Sequence, residues 1–168
     1  MNTNVLKLQL ENTEMRIRRV KQVREKTHPD DPEIAALKAE LHRLANGYLQ
    51  AAIDASNWYE AIAIAESLIS DRIESYFAEH HDRHDLLSLE GNIRNMEEVA
   101  NLYKPEDLQL VADIKIWKEN RNKAIHEIVK VRKGEKLDWV SRISAASATA
   151  KDGLELTRRV KNWSRRIP

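Results

Sequence analysis

The chain contains no cysteine, which excludes disulfides and thiolate metal centres. Glycine and proline are scarce, with four of each in 168 residues. The glycine-rich loops that cradle phosphates, the nucleophile elbow of hydrolases and the paired-histidine helix of zinc proteases are all absent. A long hydrophobic run is missing as well. The opening residues, MNTNVLKLQLENTEM, hold no sustained apolar core and carry Lys7 and Glu11, which fits neither a secretory signal nor a membrane span. A cytoplasmic protein without membrane contact is the expectation.

What is present is a composition of 42% hydrophobic and 33% charged residues, the balance of soluble helical proteins with solvated faces. The length suits one domain with a real core and is too short to expect two. Net charge is +1, but its distribution is uneven. Residues 1–28 hold seven Lys/Arg against three Asp/Glu, and residues 151–168 hold six against two. The middle of the chain is acidic, yet Lys115 to Lys133 carries seven basic and two acidic residues. Such a stretch is either a plain solvated face or a field that attracts a polyanion.

Apolar periodicity predicts helices almost throughout and no alternating strand. A basic, weakly amphipathic helix is expected over about Val5 to Lys26, setting residues 1–28 apart from a bundle over 29–168. The next helix opens at Asp31 and Pro32, a capping residue followed by proline at the first helical position. Its narrow stripe of Ile34, Leu37, Leu41, Leu44, Tyr48 and Ala52, through about Asp54, is the cleanest 3.6-residue pattern in the chain. Another helix follows Ser56 or Asn57 and runs to about Phe77, with Trp58, Ile62, Ala65, Ile69, Ile73 and Tyr76 inward. Further helices are expected over about Leu86 to Leu102, Glu106 to Arg132, and Leu137 or Asp138 to Trp163, the last with a run of small residues at 144–150. Short connections favour antiparallel neighbours, so the expected fold is all-α, an antiparallel up-and-down bundle of four to five long helices plus the N-terminal helix.

The string WKENRNKAIHEIVK carries the usable chemistry. With a helix turning roughly 100° per residue, Leu110, Ile114, Trp117, Ile125 and Ile128 gather on one side, and Arg121 projects from the middle of it. Asn122 and His126, four apart, share the flank. A guanidinium belongs in water unless a desolvated partner meets it, so this position points to a cleft or a subunit seam. Glu66, close to the inner stripe of its own helix, is the expected partner.

Arg121, Asn122 and His126 match the arginine, four to six residues, histidine signature, with a polar residue directly after the arginine. In this the chain resembles the HEPN superfamily, the higher eukaryote and prokaryote nucleotide-binding helical domains. The likeness extends to helix order over about residues 31–163. It implies a metal-independent endoribonuclease without cofactor, working as a homodimer with its motif helices facing each other. It also implies a setting in toxin and antitoxin pairs, phage defence or stress response. In such a site His126 serves proton transfer near neutral pH, Arg121 grips the phosphate through its fork, and Asn122 orients the imidazole or donates to a phosphate oxygen. Lys118, Lys123 and Lys130 are candidates to touch RNA backbone, with plain surface as the bland alternative.

Two other readings stand beside the nuclease. One is a non-catalytic HEPN module that binds a nucleotide or nucleic acid or partners a nucleotidyltransferase. The other is a structural helical adaptor whose first and last basic helices bind an acidic partner, with Arg121 merely bracing the bundle. The histidine-rich string HHDRHD, with His80, His81, His84 and Asp85, has spacing that would suit a metal on a continuing helix, but its place at a helix end reads better as a polar terminus and loop. Ile116, pointing away from the main stripe, hints at a second packing surface.

Overall fold

A computed structural model describes residues 32–83, 87–100, 104–126, 129–130 and 138–165. The expected helix over Val5 to Lys26, His84, Asp85 and the side chain of Ile128 lie outside the described residues. Within them the fold is an all-α bundle of five helices: α1 (Pro32–Asp54), α2 (Trp58–His81), α3 (Leu89–Ala100), α4 (Pro105–His126) and α5 (Trp139–Ser164). The chain divides into two compact units, Met1–Ala39 and Glu40–Pro168. No described helix is long and apolar enough to cross a membrane.

Local chemistry sets the helix ends. Pro32 and Pro105 each occupy a first helical position, where the missing N–H costs nothing and φ is already suited. Ser88 caps α3 through a hydrogen bond from Gly91 N to its Oγ at 3.3 Å, so that helix starts at Leu89 rather than Leu86. Asp138 caps α5, accepting from Ser141 N at 2.7 Å. One turn beyond the expected end at Phe77, α2 closes at Asp82, in left-handed conformation at φ 51° with its N–H on the Phe77 carbonyl. The extra turn carries His80 and His81 against the rings of Tyr76 and Phe77. The described part of HHDRHD is therefore helix terminus and loop, with Arg83 donating to Asn95 and Glu98.

Contacts in register give the helix directions. Asp113 pairs with Arg159 at 2.7 Å and Trp117 donates to Thr149 at 2.8 Å, so α4 and α5 run antiparallel. Lys115 with Glu97 and Lys118 with Glu90 make α3 and α4 antiparallel as well. Between α2 and α5 the register rises together: Trp58 lies under Lys151, Ala65 faces Gly153, and Tyr76 meets Trp163 with ring centroids 4.3 Å apart. These two helices, distant in sequence, run in the same direction.

The approach of α2, α4 and α5 is closest at Gly153. A Cβ there would come within 3.0 Å of both Ala65 Cβ and Trp117 Cζ2, so the indole of Trp117 occupies the space a side chain would fill. Ala146 and Ala150 are fully buried on the same helix, and the closest of these contacts falls at Gly153, just past the run of small residues at 144–150. The core continues through Ile62, Ile69 and Ile73 on α2, Ile93 and Met96 on α3, and Leu110 and Ile114 on α4.

The clean stripe of α1 is largely exposed. Leu37, Leu41 and Tyr48 are 60%, 56% and 66% exposed, and Leu44 is exposed too, whereas Leu49 is fully buried and Ala52 nearly so. From Glu40 onward the covered face of α1 is the one with His42, Leu49 and Ala52, and His42 pairs through Nε2 with Asp71 of α2. Period identifies a helix; it does not say which face meets a neighbour. Leu49→Ala is accordingly expected to cost about 2–5 kcal/mol, while Leu41→Ala stays within about 0.5 kcal/mol of the parent. Equilibrium urea unfolding of both variants checks this; the reverse order would place the exposed stripe in the core.

Candidate functional site

The motif sits on α4, whose position is set before the motif is reached. Asp107 ties down the first turn, its carboxylate accepting from Lys104 N at 3.3 Å. Leu110, Val111, Ile114 and Trp117 are buried along one face, and the Trp117 N–H on the Thr149 carbonyl locks that face to α5. Arg121 follows one turn later on the same stripe. Its side chain is only 14% exposed, and it emerges opposite α2, where Glu66 stands beside the buried Ala65.

Arg121 Nη2 forms an ion pair with Glu66 Oε1, the partner expected from the sequence. Arg121 Nη1 donates to Asn122 Oδ1 at 2.7 Å. Arg121 Nε is sealed from solvent without a hydrogen-bond partner among the described residues. Burial pulls the guanidinium pKa below its ordinary value, and the adjacent carboxylate works in the opposite sense by favouring the cation. A guanidinium has five N–H donors. Glu66 and Asn122 each engage one Nη, which leaves a second N–H on both for a further oxygen.

Asn122 is half-buried and turns its side-chain oxygen to Arg121, not to the imidazole. Its role in this geometry is to orient the arginine. His126 is the last residue of α4 and is exposed. Val129 lies in an exposed turn, inside the expected Glu106 to Arg132 span, of which residues 127–128 and 131–132 lie outside the described residues.

The three lysines separate. Lys118 is mostly buried, bridges Glu90 on α3 and Glu119, and is held above its usual pKa by these bonds. It is engaged in holding α3 to α4. Lys123 and Lys130 are exposed at the His126 end of α4. Ile116 is exposed on the opposite side of the buried stripe.

Two groups that the motif does not include share this end of the bundle. Arg142, on the first turn of α5, donates from Nη2 to the Lys130 carbonyl at 2.7 Å and so fastens the segment after α4 to α5. Tyr59, at the start of α2, is half-buried; burial pushes its hydroxyl pKa up, with Arg142 opposing the shift. Neither could be singled out from sequence, because both gain their place from a helix remote in the chain. Among the described residues no group of three or more His, Asp or Glu side chains is gathered as metal ligands. No protein-family model, curated protein or solved structure matches the chain.

If the Arg121–Glu66 pair contributes as its burial requires, Glu66→Gln is expected to lower stability by about 1–3 kcal/mol, discounted toward the lower end because Glu66 keeps contact with water. Adding Arg121→Met should recover part of that loss, since removing both charges leaves no orphan. A double-mutant cycle by urea unfolding checks this; a coupling below about 0.5 kcal/mol would show that the pair is idle.

Proposed function

We propose that the chain is a metal-independent endoribonuclease of HEPN type that works as a homodimer through Arg121, Asn122 and His126. The observation that carries the reading is a half-buried arginine clamped at both Nη atoms, five residues ahead of an exposed histidine on one helix. A cation kept out of water and held in orientation is suited to a phosphate, because it needs little reorganisation when charge develops on the oxygens.

The chemistry follows from these groups. The ribose 2′-oxygen forms a bond to the adjacent phosphorus as its proton passes to a neutral imidazole acting as base. The bond from phosphorus to the 5′-oxygen breaks, and that oxygen takes a proton from an imidazolium acting as acid. The products are a 2′,3′-cyclic phosphate and a free 5′-hydroxyl. One histidine cannot hold both protonation states at once, so the second comes from the partner copy. Arg121 binds the phosphate with its remaining N–H groups and counters charge in the transition state, while Glu66 and Asn122 keep it aimed. On this reading the setting is a cytoplasmic toxin, phage-defence or stress-response enzyme, restrained by an antitoxin or accompanied by a nucleotidyltransferase.

The ion pair with Glu66 also favours a second reading, in which Arg121 braces α4 against α2 and the module binds a nucleotide or nucleic acid, or an acidic protein partner, without cutting. Incubation of the purified chain with mixed RNA in EDTA separates the two. The nuclease reading expects cleavage to cyclic phosphate ends, reduced about 10²–10⁴-fold by His126→Ala and about 10²–10³-fold by Arg121→Ala. Equal cutting by all three proteins would assign the activity to a contaminant, and binding without cutting would assign the chain to the second reading.

A further inference from the structure

Resting on the ribonuclease reading, we propose that Trp139 is a stacking platform for an unpaired base of single-stranded RNA at the end of the bundle where α4 finishes with His126. The inward stripe of α5 passes through Trp163, Gly153 and Ala146, all buried. Trp139 lies seven residues, about two turns, before Ala146 on the same side, yet it is 59% exposed. The reason is the placement of α2: Ala65 packs on Gly153, so Trp58, seven residues earlier in the parallel helix, stands about level with Ala146, roughly 10 Å of helix further along α5 than Trp139. The indole therefore stands on the face that elsewhere meets the core, before the start of α2.

Its surroundings favour a polyanion. The Arg142 bond to the Lys130 carbonyl brings the end of α4 against the first turns of α5, so Trp139 shares one end of the bundle with Lys123, Lys130, Arg142 and His126. A large exposed aromatic plane next to basic side chains is the arrangement that binds single strands, whose bases have free faces, and a duplex offers none. The neighbouring Val140, 75% exposed, adds apolar surface of the kind a base edge covers.

The test uses the full chain with His126→Ala, which keeps RNA intact, titrated with a fluorescent single-stranded oligoribonucleotide of about twelve residues and with its duplex. Adding Trp139→Ala is expected to weaken single-strand binding about 5- to 150-fold, with Trp139→Phe retaining most of the affinity and duplex binding weaker throughout. In the cleaving protein Trp139→Ala is expected to raise KM while kcat changes little. Unchanged affinity and KM in Trp139→Ala, or equal binding of duplex and single strand, would overturn the stacking role while cleavage dependent on His126 left the nuclease reading standing. A change of oligomeric state without loss of RNA affinity would reassign the indole to a protein contact. Absence of both binding and cleavage in the parent would overturn the two together.

Discussion

The approach of three helices at Gly153 governs the rest of the bundle. The lack of a side chain there admits Trp117 from α4 and Ala65 from α2 into one small volume, and the indole N–H on the Thr149 carbonyl fixes the depth to which α4 enters. Because Glu66 is the residue after Ala65 and Arg121 lies one turn after Trp117, the same packing that excludes water brings carboxylate and guanidinium together. The polar pair is thus a consequence of apolar fit. An error of one residue in the register of either helix would separate the charges and leave a cation without its partner in a dry place.

Arg121 is held from two sides, whereas His126 is exposed at the end of α4. Under the proposed function this contrast suits an electrostatic group fixed in advance and a proton carrier that must reach its substrate oxygen at hydrogen-bond distance. Asn122 turns its side-chain oxygen to the fixed group, and its amide N–H groups keep their capacity to donate.

Legibility from sequence was greatest where chemistry acts over a few residues. Pro32 stands at the first position of α1, α2 starts directly after Asn57, one of its two expected caps, whose side chain makes no capping bond, and Asp138, one of the two expected starts of α5, caps it. Glu66 was found as the partner of Arg121 because an apolar stripe cannot carry a lone charge. The exposed stripe of α1 shows the limit: four large apolar residues in perfect period face outward, while a less regular face with a histidine is covered. The hydropathy pattern reports surface that is able to be buried, and burial itself depends on a second helix being there.

Short segments already dictate that the chain is helical, nearly where each described helix begins, and that Arg121 must meet an opposite charge, since capping, periodicity and desolvation act over a few residues. Packing between helices sets the common direction of α2 and α5, engages Lys118 with Glu90, and leaves Trp139 exposed at the first turn of α5. Each of these depends on residues far apart in the chain arriving at one place. That meeting is set by the packing of whole helices, which no local pattern encodes.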